Sequence, residues 1–282
     1  MKYCSFQSGD GTHIGALTER GVVDLGALGF PDSMNEFIAA GDDVHRRAAE
    51  AANDPGNPAL AADSLTFAPV TRPFKIICEG LNYRQHAEET GGEAPKYPIF
   101  FSKFNDCLTP AGAPVKLPAW LSHYDYEAEL VIVIGRRTHN VTAAEAPNYI
   151  FGYTCGNDLS ARDAQFLSTQ WLIGKALPGF APAGPFIVTR DAFDPNESHG
   201  ISCVVNGRTV QSAATSDMIF NCAVTLSEAS KYFVLEPGDL IFTGTPAGVI
   251  QGRPRAERVW LKPGDVVTVR IDGVGELTTP LV

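Results

Sequence analysis

The sequence predicts a mainly β fold with a few helices, an α+β protein in which strands dominate. From about residue 74 onward, short apolar runs recur: KIICEG, YPIFFSKF, AELVIVIG, GPFIVT, ISCVVNG, DLIFTG and DVVTVRI. Pro-Gly-Asp turns at 237–239 and 263–265 separate such runs. One helical pattern interrupts them, in which Ser216 is a candidate cap and the apolar face comprises Ile219, Ala223, Leu226, Ala229 and Phe233. Strands spaced in this way, with few helices between them, favour an antiparallel or mixed sheet.

The first 70 residues have a different pattern. KYCSF, HIGALT and GVVDL predict short strands, and SMNEFIAAGDDVHRRAAEAA predicts one helix with Asp32 or Ser33 as its N-cap. The segment that follows, NDPGNPALAADS, is rich in Pro, Gly, Asn and Asp, which is typical of a linker or a surface loop. We therefore expect a small N-terminal α/β domain at 1–70 and a larger domain at 71–282.

Composition limits the classes of partner. A chain of 282 residues can bury a full core, and its net charge of -10 argues against nucleic acid and anionic membranes, which require a basic surface. The N-terminal residues lack a signal peptide's apolar segment, and no run approaches the ~20 apolar residues of a membrane span. We expect a soluble, cytoplasmic protein. None of its six cysteines form a CxxC pair, so buried reduced thiols are expected.

The segment DYEAELVIVIG at 125–135 places two carboxylates beside a strand that is apolar on both faces. Glu127 and Glu129 lie two residues apart, and side chains at that spacing point to the same side of a strand, the side that Val131 and Val133 continue. Two carboxylates so close raise each other's pKa unless a positive charge neutralises them. This pair therefore requires a cation.

A third carboxylate lies in GYTCGNDLSARDAQFLSTQW. At helical spacing Asp158, Arg162 and Gln165 fall on one face. The simpler alternative is that Asp158 caps a short helix and that Arg162 is a surface residue. Taken with Glu127 and Glu129, however, Asp158 would complete a site of oxygen ligands suited to Mg²⁺ or Mn²⁺, and such an ion would neutralise the pair.

Two further elements carry groups for proton transfer and charge stabilisation. In GLNYRQHAEETGG, Asn82 is a candidate cap, and His86 and Glu89 become i, i+3 neighbours, so that the carboxylate would orient the imidazole. In WLIGKALPGFAPAGP, Lys175 lies in an apolar stretch where a buried lysine needs an anionic partner. A surface histidine near a glutamate and a lysine that extends to solvent are the ordinary alternatives.

Together these motifs resemble the fumarylacetoacetate hydrolase family. The motifs that carry the resemblance run in order from EGLNYRQHAEE through FFSKFND, DYEAELVIVIG, GYTCGNDLSARDAQ, QWLIGKALPGFAPAGP and VNGRTVQSAATSDMIF to LEPGDLIFTGTPAGV. It covers roughly residues 70–282, and the first 70 residues resemble the family's small N-terminal domain more weakly. The resemblance implies a mixed β-roll and a homodimer.

The resemblance also implies roles for individual residues. The metal ligands would be Glu127, Glu129 and Asp158, with Mg²⁺ or Mn²⁺ bound, or Ca²⁺ in some members. The catalytic residues would be His86 and Glu89, which activate water, together with Lys175. The substrate contacts would be Tyr83, Lys103, Arg162, Gln165 and Thr245. Substrate specificity would depend on the loops at 88–96 and 250–258.

The reaction predicted first is hydrolysis of a C–C bond in a diketo acid such as an acylpyruvate, because the dyad suits an activated water. The alternatives within the same family are a 2-oxo acid decarboxylase, a keto-enol isomerase and a dehydratase. A non-catalytic, metal-stabilised binding module is a further alternative, against which the full set of acid, base, lysine and metal ligands argues.

Overall fold

The computed structural model describes residues 1–9 and 11–282, and strands form most of its regular structure. The strands are β1 (Lys2–Ser8), β2 (Gly11–Thr18), β3 (Gly21–Asp24), β4 (Ala59–Leu60), β5 (Ile76–Gly80), β6 (Ile99–Lys103), β7 (Leu108–Thr109), β8 (Tyr124–Asp125), β9 (Ala128–Ile134), β10 (Ile150–Asn157), β11 (Ser160–Ala161), β12 (Ala181–Thr189), β13 (Gly200–Val205), β14 (Arg208–Ala214), β15 (Leu240–Phe242), β16 (Val266–Ile271) and β17 (Gly275–Pro280). The helices are α1 (Met34–Ala39), α2 (Asp42–Asn53), α3 (Arg84–Glu89), α4 (Arg162–Gln165), α5 (Leu172–Lys175) and α6 (Cys222–Tyr232). Short 3-10 turns lie at Ala62–Ser64, Asn105–Cys107, Ala146–Tyr149, Thr215–Asp217 and Arg255–Glu257.

One large mixed sheet organises the molecule, as the sequence predicts. Its strand order is β4-β3-β2-β1-β12-β10-β9-β15-β5-β6, and β7 pairs with β12. Most pairs are antiparallel, whereas β15 with β5 and β7 with β12 are parallel. A second sheet has the order β14-β13-β16-β17, and β8 pairs with β11. The strands of the first 60 residues continue the large sheet through the pairing of β1 with β12.

Strand β9 is buried on both faces, which confirms the interpretation of AELVIVI. Its alternate side chains enter different parts of the core. Leu130 and Ile132 pack in the cluster beneath the second sheet and α6, whereas Val131 and Val133 pack in the cluster that includes α1 and α2. Burial on both sides explains why the strand is an apolar run rather than an alternating one.

Helix α1 begins after Ser33, one of the two predicted N-caps, but other helix boundaries differ from the prediction. The single helix expected after Ser33 is two helices, because Gly41 has a φ of 83° and separates α1 from α2. The cap expected at Ser216 is wrong: α6 starts six residues later, and Asn221 accepts the capping bond from Val224 N at 3.0 Å. Asn82 is not a cap either, because α3 begins at Arg84 and the Asn82 amide donates to Phe220 O and Thr243 O.

Two observations concern burial and membranes. The six cysteine thiols are all free and buried, as expected from their spacing. Within residues 1–9 and 11–282, no helix has both the length and the apolar character to cross a bilayer.

Candidate active site

Strand register brings the three predicted metal ligands together. Strand β10 runs antiparallel to β9 with Asn157 opposite Ala128, so Asp158 follows next to Glu127. The Asp158 backbone N–H donates to Glu127 O at 2.9 Å, which fixes the two residues side by side. One carboxylate oxygen each from Glu127, Glu129 and Asp158 lies within 4.8 Å of the others, and all three side chains are buried. A pair of adjacent strands therefore forms a closed acidic cluster.

Three buried cations surround this cluster. Lys175 Nζ lies between two of the carboxylates, at 2.6 Å from Glu127 Oε2 and 2.7 Å from Asp158 Oδ2. Arg162 Nη2 donates to the other oxygen of Glu127 at 2.6 Å. Lys103 Nζ lies 2.6 Å from Asp158 Oδ1. The alternatives in which Arg162 is a surface residue and Lys175 extends to solvent are wrong, because both side chains are buried.

Glu127 and Glu129 differ in their electrostatic surroundings. Burial by itself would raise the pKa of Glu127, but the charges of Lys175 and Arg162 outweigh it and lower the pKa. Glu129 accepts a hydrogen bond from Gly244 N at 2.8 Å and has no lysine or arginine nitrogen of the described residues within 4.0 Å. Burial, followed by the charges of Asp158 and Glu127, holds the pKa of Glu129 well above its usual range.

Asp125, which the sequence motifs did not single out, is a buried carboxylate that links the cluster to a loop. Its Oδ2 accepts from Arg162 Nε at 2.9 Å and from Gln251 N at 3.0 Å. Its Oδ1 accepts from Ile250 N at 2.9 Å and from Tyr126 N at 3.0 Å. Asp125 thus fixes both the arginine and the start of the 250–258 loop. The signal was present, since Asp125 precedes Glu127 by the same two-residue spacing.

The predicted dyad is formed. His86 and Glu89 lie on α3, and His86 Nδ1 lies 2.8 Å from Glu89 Oε1. A carboxylate at this distance accepts the hydrogen bond, so Nδ1 carries the proton in the neutral ring and Nε2 is the basic nitrogen. Glu89 Oε2 accepts from Gly248 N at 2.9 Å, which ties the dyad to the segment after β15.

The dyad and two carboxylates of the acidic cluster line one cavity of about 390 Å³. Glu127 and Glu129 form its acidic end, next to Lys175, and His86 and Glu89 also line it. Arg162, Gln165 and Thr245 complete the predicted residues that line it. Its apolar walls are Phe101, Phe166 and Trp171, none of which the motifs singled out.

Two predicted substrate contacts lie outside this lining. Lys103 Nζ donates to Phe180 O at 2.7 Å and Leu159 O at 3.1 Å, besides contacting Asp158 and the carbonyl of Lys175, so protein oxygens satisfy its donors. Tyr83 is buried, and its hydroxyl has no hydrogen-bond partner among the described residues. Neither residue therefore gains support as a substrate contact from its surroundings.

Thr245 is held by a glutamine that the motifs contained but did not single out. The Thr245 hydroxyl donates to Ala128 O at 2.9 Å and accepts from Gln211 Nε2 at 2.9 Å. Gln211 Oε1 in turn accepts from Ala128 N at 3.0 Å. Gln211 thus connects β14 to β9 and holds Thr245 at the cavity wall.

The acidic cluster fits a divalent cation. Four buried carboxylates, at positions 125, 127, 129 and 158, face three buried cations, so one negative charge is unmatched, and it lies at Glu129. Carboxylate oxygens are the ligands that Mg²⁺, Mn²⁺ and Ca²⁺ prefer. A cation bound here would neutralise that charge and lower the pKa of Glu129.

Comparison with known proteins identifies the family of this chain. The family model described as fumarylacetoacetate (FAA) hydrolase C-terminal matches residues 75–282. This chain belongs to the fumarylacetoacetate hydrolase family. A relative named as a mitochondrial oxaloacetate tautomerase, from Xenopus laevis, is 38% identical over 100% of this chain and 90% of its own length.

Solved structures of the same family cover the whole chain. The fumarylacetoacetate hydrolase of Exiguobacterium antarcticum has a TM-score of 0.89 at 34% identity, with 100% of this chain and 99% of that one covered. The maleylpyruvate hydrolase of Sphingobium sp. SYK-6, solved with manganese(II) and pyruvate, has a TM-score of 0.81 at 29% identity over the same shares. The protein is therefore a fumarylacetoacetate hydrolase family enzyme with the family's fold.

Proposed function

We propose that this protein is a divalent-metal-dependent enzyme that interconverts the enol and keto forms of a 2-oxo acid. The observation that carries the proposal is the facing arrangement inside one cavity: the His86–Glu89 dyad and two of the three clustered carboxylates line the same space. A base and a site for a hard cation within one small cavity are the components that proton transfer next to a carbonyl requires.

The ion would be held by Glu127, Glu129 and Asp158, and when bound it supplies positive charge that polarises the oxygen of the keto group. Lys175 and Arg162 hold Glu127 in place from both of its oxygens. His86 accepts the proton of the enol hydroxyl at Nε2, and Glu89 stabilises the imidazolium that results. Transfer of that proton to C3 completes the keto form, with no net gain or loss of protons.

The relative from Xenopus laevis supports this choice, because it is similar over the whole chain and is named for tautomerisation of oxaloacetate. The first prediction from the sequence, C–C bond hydrolysis, stays a prediction and is the second candidate. The maleylpyruvate hydrolase structure favours it, and the same dyad would then take a proton from water.

One panel of assays separates the candidates. Purified protein is incubated with Mg²⁺ and either enol oxaloacetate or acetylpyruvate, and loss of enol absorbance, release of CO₂ and formation of acetate are followed. We expect enol loss from oxaloacetate that is faster than the uncatalysed reaction, without CO₂, and that EDTA abolishes it. Acetate from acetylpyruvate would establish the hydrolase instead, and CO₂ from oxaloacetate the decarboxylase.

His86→Ala tests the role of the dyad. Loss of a general base typically costs on the order of 100-fold in turnover, and we expect that loss with metal binding unchanged. Gln85→Ala, on the exposed side of the same helix, is the control and should keep full turnover. Turnover of His86→Ala at the wild-type rate would contradict proton transfer by this dyad.

A further inference from the structure

Arg258 differs from the other basic residues of the cavity in having no acidic partner. Arg162 and Lys175 line the cavity, but each is paired with buried carboxylates. Arg258 also lines it, and no carboxylate of the described residues lies within 4.0 Å of its guanidinium. A cation that faces a binding cavity without a counter-charge is a site for an anionic group of the ligand.

The guanidinium is held in place by its own loop. Arg258 Nε donates to Arg253 O at 2.8 Å, and Nη1 donates to Gln251 Oε1 at 3.2 Å. The Trp260 ring lies 5.9 Å from its central carbon. A guanidinium has five N–H donors, and these two bonds leave three for a ligand, enough for a two-point contact with a carboxylate.

The loop itself is fixed to the acidic cluster. Asp125 accepts from the backbone of Ile250 and Gln251 and also from Arg162, the residue that holds Glu127. Arg258 therefore belongs to a loop whose start is anchored on Asp125, the carboxylate that also binds Arg162. The cavity consequently has an acidic end for a cation and a basic residue on the wall that this loop forms.

We propose that Arg258 binds the second carboxylate of a 2-oxo dicarboxylate, while the keto acid end of that substrate faces the acidic cluster. This rests on the proposed function, in which a 2-oxo acid occupies the cavity. Arg258 is then the residue that selects diacids over monoacids, and Gln251 positions it.

The test compares two ligands that differ only in the distal charge. Oxaloacetate carries a second carboxylate, whereas 2-oxosuccinamate carries a neutral amide of nearly the same shape at that position. Binding of each is measured by calorimetry with Mg²⁺ present. We expect the wild-type protein to bind oxaloacetate about 10- to 100-fold more tightly, the usual effect of a hydrogen-bonded charged contact. Arg258→Gln should remove this preference and leave the Kd of the amide unchanged, and Arg258→Lys should restore part of it.

Arg255→Gln is the matched control, because Arg255 lies in the same loop, is exposed and does not line the cavity. It should retain the wild-type preference. Equal binding of the two ligands by the wild-type protein would overturn the proposal, and so would an Arg258→Gln variant that keeps the preference or weakens both ligands alike. A wild-type protein that prefers the diacid but leaves its enol untouched would refute the proposed tautomerisation and leave the role of Arg258 intact.

Discussion

Glu127 and Glu129 lie two residues apart but have opposite electrostatic surroundings. Arg162 and Lys175 each donate to Glu127, whereas Glu129 receives a backbone N–H and the repulsion of its acidic neighbours. Both are proposed ligands of one ion, but they affect the metal-free protein in opposite ways. This difference allows the metal-binding and the structural contributions of each glutamate to be separated.

We predict that Glu127→Gln and Glu129→Gln both abolish Mn²⁺ binding but shift stability in opposite directions. Removing one partner of a buried ion pair costs on the order of 3 kcal/mol, so Glu127→Gln should destabilise the metal-free protein. Glu129→Gln removes a buried carboxyl whose raised pKa costs stability near neutral pH, because folding forces it to keep a proton that the unfolded chain releases, and the variant should be more stable by about 1 kcal/mol. Urea unfolding in EDTA and calorimetric titration with Mn²⁺ measure the two effects. Equal destabilisation by both variants would show that Glu129 has a cationic partner.

A further buried carboxylate, Glu79, makes stability depend on pH. Burial raises the pKa of Glu79 to about 8, although the hydrogen bond from Thr225 Oγ1 acts in the opposite direction. The folded state therefore keeps a proton that the unfolded chain releases near its ordinary pKa of 4.5. The stability that this proton contributes is fully present below 4.5 and is lost as pH rises through 8.

Glu79→Gln should remove this dependence. In the wild-type protein the group lowers the free energy of unfolding by about 1.4 kcal/mol for each pH unit within that window. The stability of the variant relative to wild type should therefore increase with pH, which urea unfolding at about pH 6 and about pH 9 would detect. Glu88→Gln, on the exposed side of α3, is the control and should follow the wild-type profile.

At the scale of elements, sequence patterns within one strand or helix predicted the structure better than patterns that join distant segments. The apolar run from Ala128 to Ile134 predicted a buried strand because every residue contributes to that pattern. The i, i+3 spacing of His86 and Glu89 similarly predicted a contact within one helix. The apolar spacing continues across Gly41 and therefore predicts a single helix. The positive φ of Gly41, which cannot be read from the sequence, separates α1 from α2.

Contacts between distant segments were predicted from the chemical fit of their side chains and from the family resemblance, and not from a local pattern. Asp158 meets Glu127 because of the register between β9 and β10, and no local pattern specifies a register. The expectation that Asp158, Arg162 and Gln165 share a helical face is wrong, since α4 begins only at Arg162. Arg162 nevertheless reaches Gln165 Oε1 at 2.8 Å within that short helix. The motifs did not single out Gln211, because its role depends on a side chain of β14 that reaches Ala128 on β9 in the other sheet.

Glu89 connects helix α3 to the segment after β15, because its carboxylate accepts a hydrogen bond from Gly248 N. A Cβ at Gly252 would lie 2.6 Å from Glu89 Cδ, so Gly252→Ala should displace the carboxylate that orients His86. We expect turnover to fall about 10- to 100-fold, because small displacements of a catalytic group have large effects. Gly9→Ala is the control, since its Cβ would meet no atom within 4 Å and Gly9 does not line the cavity.

Shortening the glutamate should relieve that clash. Glu89→Asp removes one methylene group, so the double variant Gly252→Ala, Glu89→Asp should recover part of the turnover lost by Gly252→Ala. Steady-state kinetics across pH would show whether the base has moved. A Gly252→Ala variant with wild-type kinetics would show that Glu89 does not need this position.

At the scale of the whole molecule, the helices α4 and α5 present an apolar surface. A Cβ at Gly174 would lie 2.4 Å from Gln165 N, so the two short helices are in close backbone contact. Leu167, which follows α4, is 75% exposed, and Ile173 on α5 is 51% exposed. Large apolar side chains exposed on adjoining segments are typical of a surface that binds another protein. We refer to Leu167 and Ile173 with their helices as the α4–α5 surface.

We propose that the α4–α5 surface contributes to the homodimer that the family resemblance implies. Light scattering should then give about twice the chain mass of 30.2 kDa, and Leu167→Glu with Ile173→Glu should shift the protein toward monomer by placing charges in an apolar contact. Phe74→Glu changes a residue that is 74% exposed on another segment and should leave the dimer intact. Since Phe166 lines the cavity next to Leu167, dissociation should also weaken substrate binding. A wild-type monomer would exclude the dimer. A dimer that only Phe74→Glu disrupts would place the interface on another surface.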